Sequence, residues 1–293
     1  MLSLRLITGP LLIVAWLALM FFDDRLDAAH WPAWFESLWS LRGGRPRGVL
    51  LTVLLLLVVA PLAARELSTI VQGNGIASRR WLTVLAAVAG VLTLALWPEP
   101  NRAAVVATAA VALCALSMIV FTRGHAVDGV LAAMGATLFA FVYLGLMPGF
   151  LLLLRQNSSA WLVVGVVLAT KSCDIGAYFT GRAIGRHKLI PWLSPGKTWE
   201  GLVGGIVAGA AAGAGLAALS TYLPLDDHVT PPFGAVCGAI FAVVGQFGDL
   251  AESLLKRGAR LKDSGTLLPG MGGVLDVLDS PLMVAPVAWW LLG

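Results

Sequence analysis

The chain has 293 residues and a mass of 30.7 kDa, with 58% hydrophobic residues, 12% charged residues and a mean hydropathy of +0.86. Soluble domains are about a quarter charged and under half apolar, and disordered chains are poor in apolar residues, so both classes are excluded. A net charge of +4 with a pI near 9.2 supplies too few cations for a nucleic-acid face. What remains is an all-α, polytopic helical membrane protein.

A span needs about 20 apolar residues. Nine segments approach that length: 6–22, 48–64, 81–97, 103–121, 129–150, 160–180, 200–220, 233–255 and 274–292. Pro98-Glu99-Pro100-Asn101 and Pro231-Pro232 punctuate them. No small-residue cleavage site follows Phe22, so the first segment reads as a retained anchor. Between the first two segments Trp31, Trp34, Phe35 and Leu38 recur at helical spacing, as in an amphipathic surface helix. Met147-Pro148-Gly149 is the weakest boundary, because it can end the fifth span early. In the seventh, Gly201, Gly205, Gly209 and Gly213 form a small-residue seam, within one chain or between two copies of a homodimer.

With nine spans and the N-terminus inside, thirteen of the twenty Lys and Arg residues fall on the inner side: Arg5, Arg65, Arg79, Arg80, Arg123, Arg182, Arg186, Lys188, Lys197, Lys256, Arg257, Arg260 and Lys262. Arg25, Arg42, Arg45, Arg47, Arg102 and Arg155 fall outside, and Lys171 lies within a span. The asymmetry predicts an N-in, C-out topology. Residues 1–125 form an N-terminal helical region and residues 126–293 a catalytic one. Cys114, Cys173 and Cys237 lie in apolar stretches, too scattered for a disulfide framework or a zinc site.

Ionisable residues inside spans are costly and mark function by default. Lys171, Asp174 and Tyr178 follow one face of span six; Asp249, Glu252, Ser253 and Lys256 share a face of span eight. Asp276 and Asp279 lie one turn apart at the start of span nine. Carboxylates gathered at low dielectric protonate, pair with cations or bind metal. Oxygen donors without thiolate or imidazole favour magnesium over zinc. Internal salt bridges, such as Lys171 with Asp174, are the structural alternative. Glycines in Pro269-Gly270-Met271-Gly272-Gly273 allow backbone N–H groups near an anion at a helix start. Gly196-Lys197-Thr198 is not a Walker A element, since Pro191 stands at the first-glycine position and no strand is expected before it.

On these residues the chain resembles the phosphatidate cytidylyltransferase (CDP-diacylglycerol synthase) family. One block holds Gly248, Asp249, Glu252, Ser253, Lys256, Arg257, Lys262, Asp263, Gly265, Pro269, Gly270, Gly272, Gly273, Asp276 and Asp279. A second holds Asp174, Gly176, Ala177, Tyr178, Gly181 and Arg182, then Ser194, Pro195, Lys197, Thr198, Glu200 and Gly201. Together they cover roughly 110 residues. Met271 replaces the family histidine and Val277 the family arginine.

The resemblance implies attack of a phosphatidate phosphate on the α-phosphorus of CTP, giving CDP-diacylglycerol and pyrophosphate. It implies Asp249 and Asp276 as metal ligands, with Asp174 and Asp279 beside them, and Lys256 in the catalytic set. Ser194, Lys197, Thr198, Arg182, Ser253, Arg257, Lys262, Asp263, Gly272 and Gly273 are the implied substrate-binding residues. The expected cofactor is magnesium, with a second, monovalent cation left open. The expected partners are CTP, phosphatidate and membrane lipids, not nucleic acid. The expected setting is a bacterial inner membrane with a cytoplasmic site. A CTP-dependent lipid or polyprenol kinase and a secondary transporter are the alternatives.

Overall fold

The computed structural model describes residues 2–39, 46–122, 127–222 and 229–293. Arg42, Arg45 and Arg123, together with the side chains of Arg5 and Leu38, lie outside the described residues. Helices occupy all nine expected places: α1 (Leu2–Leu26), α3 (Val49–Gly73), α4 (Arg80–Leu96), α5 (Arg102–Phe121), α6 (Val130–Asn157), α7 (Ala160–Ile184), α8 (Trp199–Ser220), α9 (Pro231–Gly258) and α10 (Leu275–Leu292). The short α2 (Ala33–Trp39) lies in the first connection, with Phe35 stacked between Trp31 and Trp39. Eight of these helices are long and apolar enough to cross a membrane; α4 has 17 residues and lies at the short end of the spanning range. The protein is a polytopic helical membrane protein.

Two helices run further than the hydropathy predicts. α3 continues past residue 64 to Gly73, and α6 past Pro148 to Asn157. Each contains a π-helical stretch just before a proline: Leu55–Val59 before Pro61 and Phe141–Leu146 before Pro148. Proline lacks the N–H its helix position needs, and a widened turn lets the helix pass it rather than end. Arg155, expected in an outer loop, is therefore a buried residue of α6.

Small residues set the close crossings. A Cβ on Gly90 of α4 would come within 2.7 Å of Gly145 Cα in α6, so only glycine fits at this contact. The seam in α8 packs within the chain: Gly201 and Gly205 face Ala177 and Cys173 of α7, while Gly209 and Gly213 face Gly238 and Gly234 of α9. α7, α8, α9 and α10 are thereby antiparallel neighbours in sequence. One buried apolar cluster runs through the bundle from Met20 to Ala288.

The connection between α7 and α8 holds a small antiparallel hairpin, β1 (Lys188–Ile190) with β2 (Ser194–Thr198), where only loop was expected. The expectation that no strand precedes Gly196-Lys197-Thr198 is thus corrected: β1 precedes it, and the triplet is itself strand that runs straight into α8. No loop is left there to wrap a phosphate.

Candidate active site

At one end of the bundle the C-terminal end of α7, the hairpin, the start of α8 and the C-terminal half of α9 surround a cavity of about 510 Å³. Among its walls are Asp174, Tyr178, Arg182, Lys197, Thr198, Gln246 and Asp249. Six of these, all but Gln246, were singled out in sequence, and they converge from three separate segments. The hairpin explains Lys197: strand pairing of Lys188 with Thr198 holds the residue beside it over the cavity. Its Nζ lies 2.6 Å from Asp249 Oδ2 but out of hydrogen-bond alignment. The Thr198 hydroxyl accepts the Gly201 N–H at 3.0 Å, so it caps α8. Arg182 donates to the Tyr178 hydroxyl at 2.8 Å, and Ser253 donates to Asp249 Oδ1 at 3.4 Å.

Lysines bridge the remaining carboxylates. Lys171 stands 3.2 Å from Asp174 Oδ2 and 3.7 Å from Asp279 Oδ1, joining α7 to α10. Asp279 is also within electrostatic reach of Asp249 and Asp174. Lys256 lies 2.5 Å from Asp276 Oδ1 and 3.1 Å from the fully buried Glu252. Asp276 Oδ2 accepts three bonds of 2.8 Å, from the Ser264 N–H, the Ser264 hydroxyl and the Gly273 N–H. One oxygen of Asp276 therefore closes the loop before α10, and the other touches only Lys256.

The sequence reading assigned no role to Glu66, on the extended end of α3. Its carboxylate accepts the Val274 and Leu275 N–H groups at 2.9 Å each and lies 3.0 Å from the Ser264 hydroxyl, whose one proton it shares with Asp276. The single acid of α3, next to Arg65 where the apolar run ends, was the available signal. Together Glu66 and Asp276 occupy the main-chain donors at the start of α10 that the glycine pattern offered to a substrate phosphate. Gly270 and Gly272 supply left-handed turns (φ 78° and 96°). Bonds from Leu268 N to Gly272 O (2.8 Å) and Met271 N to Leu268 O (3.0 Å) close this turn without an imidazole.

Other expected contacts are more peripheral. Arg257 donates to Leu261 O at 3.1 Å, Lys262 and Asp263 are exposed in the loop, and Ser194 opens β2. The N-terminal half of α1 reaches this end too, where the Thr8 hydroxyl donates to Pro269 O at 3.0 Å.

A model of the cytidylyltransferase family matches residues 40–293. The chain belongs to this family. Similar proteins include the phosphatidate cytidylyltransferase of Mycobacterium bovis, 38% identical over 164 residues, which are 55% of this chain and 51% of that protein. That of Brucella suis is 46% identical over 125 residues, 42% and 43% of the two chains. That of Bacillus subtilis is 44% identical over 123 residues, 41% and 43%. The aligned part spans about half the length of the curated relatives or less.

For a member of this family a divalent cation is the implied cofactor, and the donor set can be tested for it. Among the described residues no three His, Cys, Asp or Glu side chains form a ready-made cage. The ion-pair network nevertheless holds five carboxylates (Asp174, Asp249, Glu252, Asp276, Asp279) and three ammonium groups (Lys171, Lys197, Lys256). Fully ionised, it carries two more negative charges than positive ones. Hard oxygen donors with that surplus suit magnesium.

Proposed function

We propose that this cytidylyltransferase-family protein joins CTP to phosphatidate, forming CDP-diacylglycerol and releasing pyrophosphate at the cytoplasmic face of a bacterial inner membrane. The observation that carries this reading is the cavity in which Asp174, Arg182, Lys197 and Asp249 meet at one end of the spanning helices. The Phosphatidate cytidylyltransferase names of the relatives support it.

The chemistry asks little proton transfer of the protein. A phosphatidate phosphate is already ionised at neutral pH, so the attacking oxygen needs no base, and the family histidine replaced by Met271 is dispensable for that step. The task is to bring two polyanions together in line and stabilise charge on the phosphoryl oxygens. Lys197 and Arg182 are the cations lining the cavity and would bind those oxygens. Asp249, the Lys256-paired oxygen of Asp276, and the flanking Asp174 and Asp279 are the residues that would hold magnesium. When bound, magnesium supplies Lewis-acid stabilisation of the triphosphate. Lys256, clamped between Glu252 and Asp276, keeps the ends of α9 and α10 together, and its ammonium would answer phosphate charge at that end.

The test is purified protein in lipid nanodiscs with labelled CTP and phosphatidate. The expected result is one pyrophosphate for each CDP-diacylglycerol formed. Release of CDP with a phosphorylated lipid would establish the kinase alternative instead.

A further inference from the structure

We propose that Gln246 is the residue that recognises the lipid substrate's acyl ester, its side-chain amide donating a hydrogen bond to an ester carbonyl. This deepens the cytidylyl-transfer reading and rests on it. Gln246 lines the same cavity as Lys197 and Asp249. It precedes Asp249 by three residues on α9, so it sits on nearly the same face, about 4.5 Å further into the membrane. Beyond it α9 offers Val244, Val243, Ala242 and Phe241, which present no side-chain polarity.

The other polar side chains of the cavity have protein partners. Asp174 pairs with Lys171, Tyr178 with Arg182, Lys197 with Asp249, and Thr198 caps α8. Among the described residues the Gln246 amide has none. Gln246 is half-buried and its amide opens into the cavity, so its donors are available to a ligand group. A phospholipid whose phosphate is held at the level of Lys197 and Asp249 carries its ester groups a few bonds deeper, ahead of any hydrocarbon. An ester carbonyl is an acceptor only, which matches the amide's N–H donors. The nucleotide extends the other way, toward the aqueous end. A smaller apolar cavity of about 250 Å³, lined by residues of α7, α8 and α9 such as Leu162, Leu216 and Phe241, shares no lining residue with this one.

The experiment compares diester phosphatidate with its diether analogue, which lacks the carbonyls, measuring pyrophosphate release by the full-length protein in mixed micelles. The wild type is expected to show a KM for the diester about three- to tenfold below that for the diether, the range of one hydrogen bond. Gln246→Leu and the near-isosteric Gln246→Met are expected to raise the diester KM to the diether value while the KM for CTP stays put. Each variant is its own control, since the two lipids are compared on the same protein. The proposal is overturned if both variants keep the ester preference, if the wild type has none, or if the KM for CTP moves instead. A wild type that transfers cytidylyl to neither lipid overturns the reading of function, and the role of Gln246 with it.

Discussion

The chain holds two groups of buried charge at opposite ends of its helices, and they are built differently. At the end away from the cavity, Arg155 of α6 meets Asp23 of α1 at 2.6 Å and Asp27 at 2.8 Å. Its third nitrogen donates to Ser158 O at 3.3 Å. Asp23 uses its other oxygen to accept the Leu50 and Leu51 N–H groups at 2.7 and 3.3 Å, at the start of α3. Arg155 and Asp23 are both 0% exposed and every charge is answered by protein. At the cavity end, Lys197 is misaligned with Asp249, Glu252 Oε1 has no hydrogen-bond partner, and carboxylates outnumber lysines. Charge inside a membrane protein is therefore not a sufficient sign of function. Completeness of pairing separates a staple, which joins three helices, from a site, which leaves electrostatic work for a ligand.

The largest expected effect tests the staple. Arg155→Met leaves Asp23 buried without its cation, and removing one partner of a buried pair costs about 3–5 kcal/mol. Thermal unfolding in detergent should show that loss, with turnover per folded molecule preserved. Pairing it with Asp23→Leu should recover part of the stability, short of the bonds to Leu50 and Leu51. A fall in turnover per folded molecule would erase the distinction between the two ends.

Asp249→Asn tests the other side. It should lower CDP-diacylglycerol formation by about 10²–10³-fold, the scale of one removed electrostatic stabiliser. The melting temperature should move little, since the ion pair lost with Lys197 is part-exposed and poorly aligned. A stable, active Asp249→Asn protein would move the metal elsewhere.

Glu66 joins the two behaviours, for it is a staple located at the site. Glu66→Ala frees two main-chain donors at the start of α10, with an expected loss of about 1–3 kcal/mol and a turnover decrease of about tenfold. Limited proteolysis between residues 259 and 273 should accelerate in parallel, and Glu66→Gln should fall between. Unchanged proteolysis would remove Glu66 from the organisation of the loop.

Met271→His should change the rate by less than about tenfold, below the 10²–10⁴-fold of general acid–base assistance, because main-chain bonds already close its turn. A variant that switches on an inert wild type would mark a degenerate relative.

The smallest effect belongs to Asp27, whose carboxyl is raised above its ordinary value chiefly by burial, against the lowering influence of Arg155. A raised folded value means that its contribution to stability is present at low pH and is lost as pH rises through that value. Asp27→Asn should therefore lie within about 1 kcal/mol of wild type at neutral pH, any advantage disappearing toward pH 4. Equal sensitivity of Asp27 and Arg155 would show one cooperative unit in place of a core pair with a part-exposed rim.

Composition alone determined the membrane class, because apolar helices of this length have no other solvent, and hydropathy located all nine helices. Helical spacing put Asp249 with Ser253 on one face, and the two motif blocks named most residues of the cavity, Gln246 excepted. Helix ends were less legible. Hydropathy falls where a helix leaves hydrocarbon, whereas the hydrogen-bonded helix continues, as α3 does through Glu66 and α6 through Arg155.

What only the tertiary structure decided is which buried charges are spent on one another. Arg155 and Asp23 are 132 residues apart, Glu66 and Val274 208, and no local periodicity couples such positions. The same limit applies to Gln246, which in sequence is one polar residue in an apolar run. It becomes distinctive when the cavity's other polar groups are each seen beside a protein group, Lys197 beside Asp249 among them, while Gln246 faces the cavity alone among the described residues. Propensity and hydropathy act within a few turns of helix, but the free energy of a buried charge depends on partners that only packing brings within 3 Å.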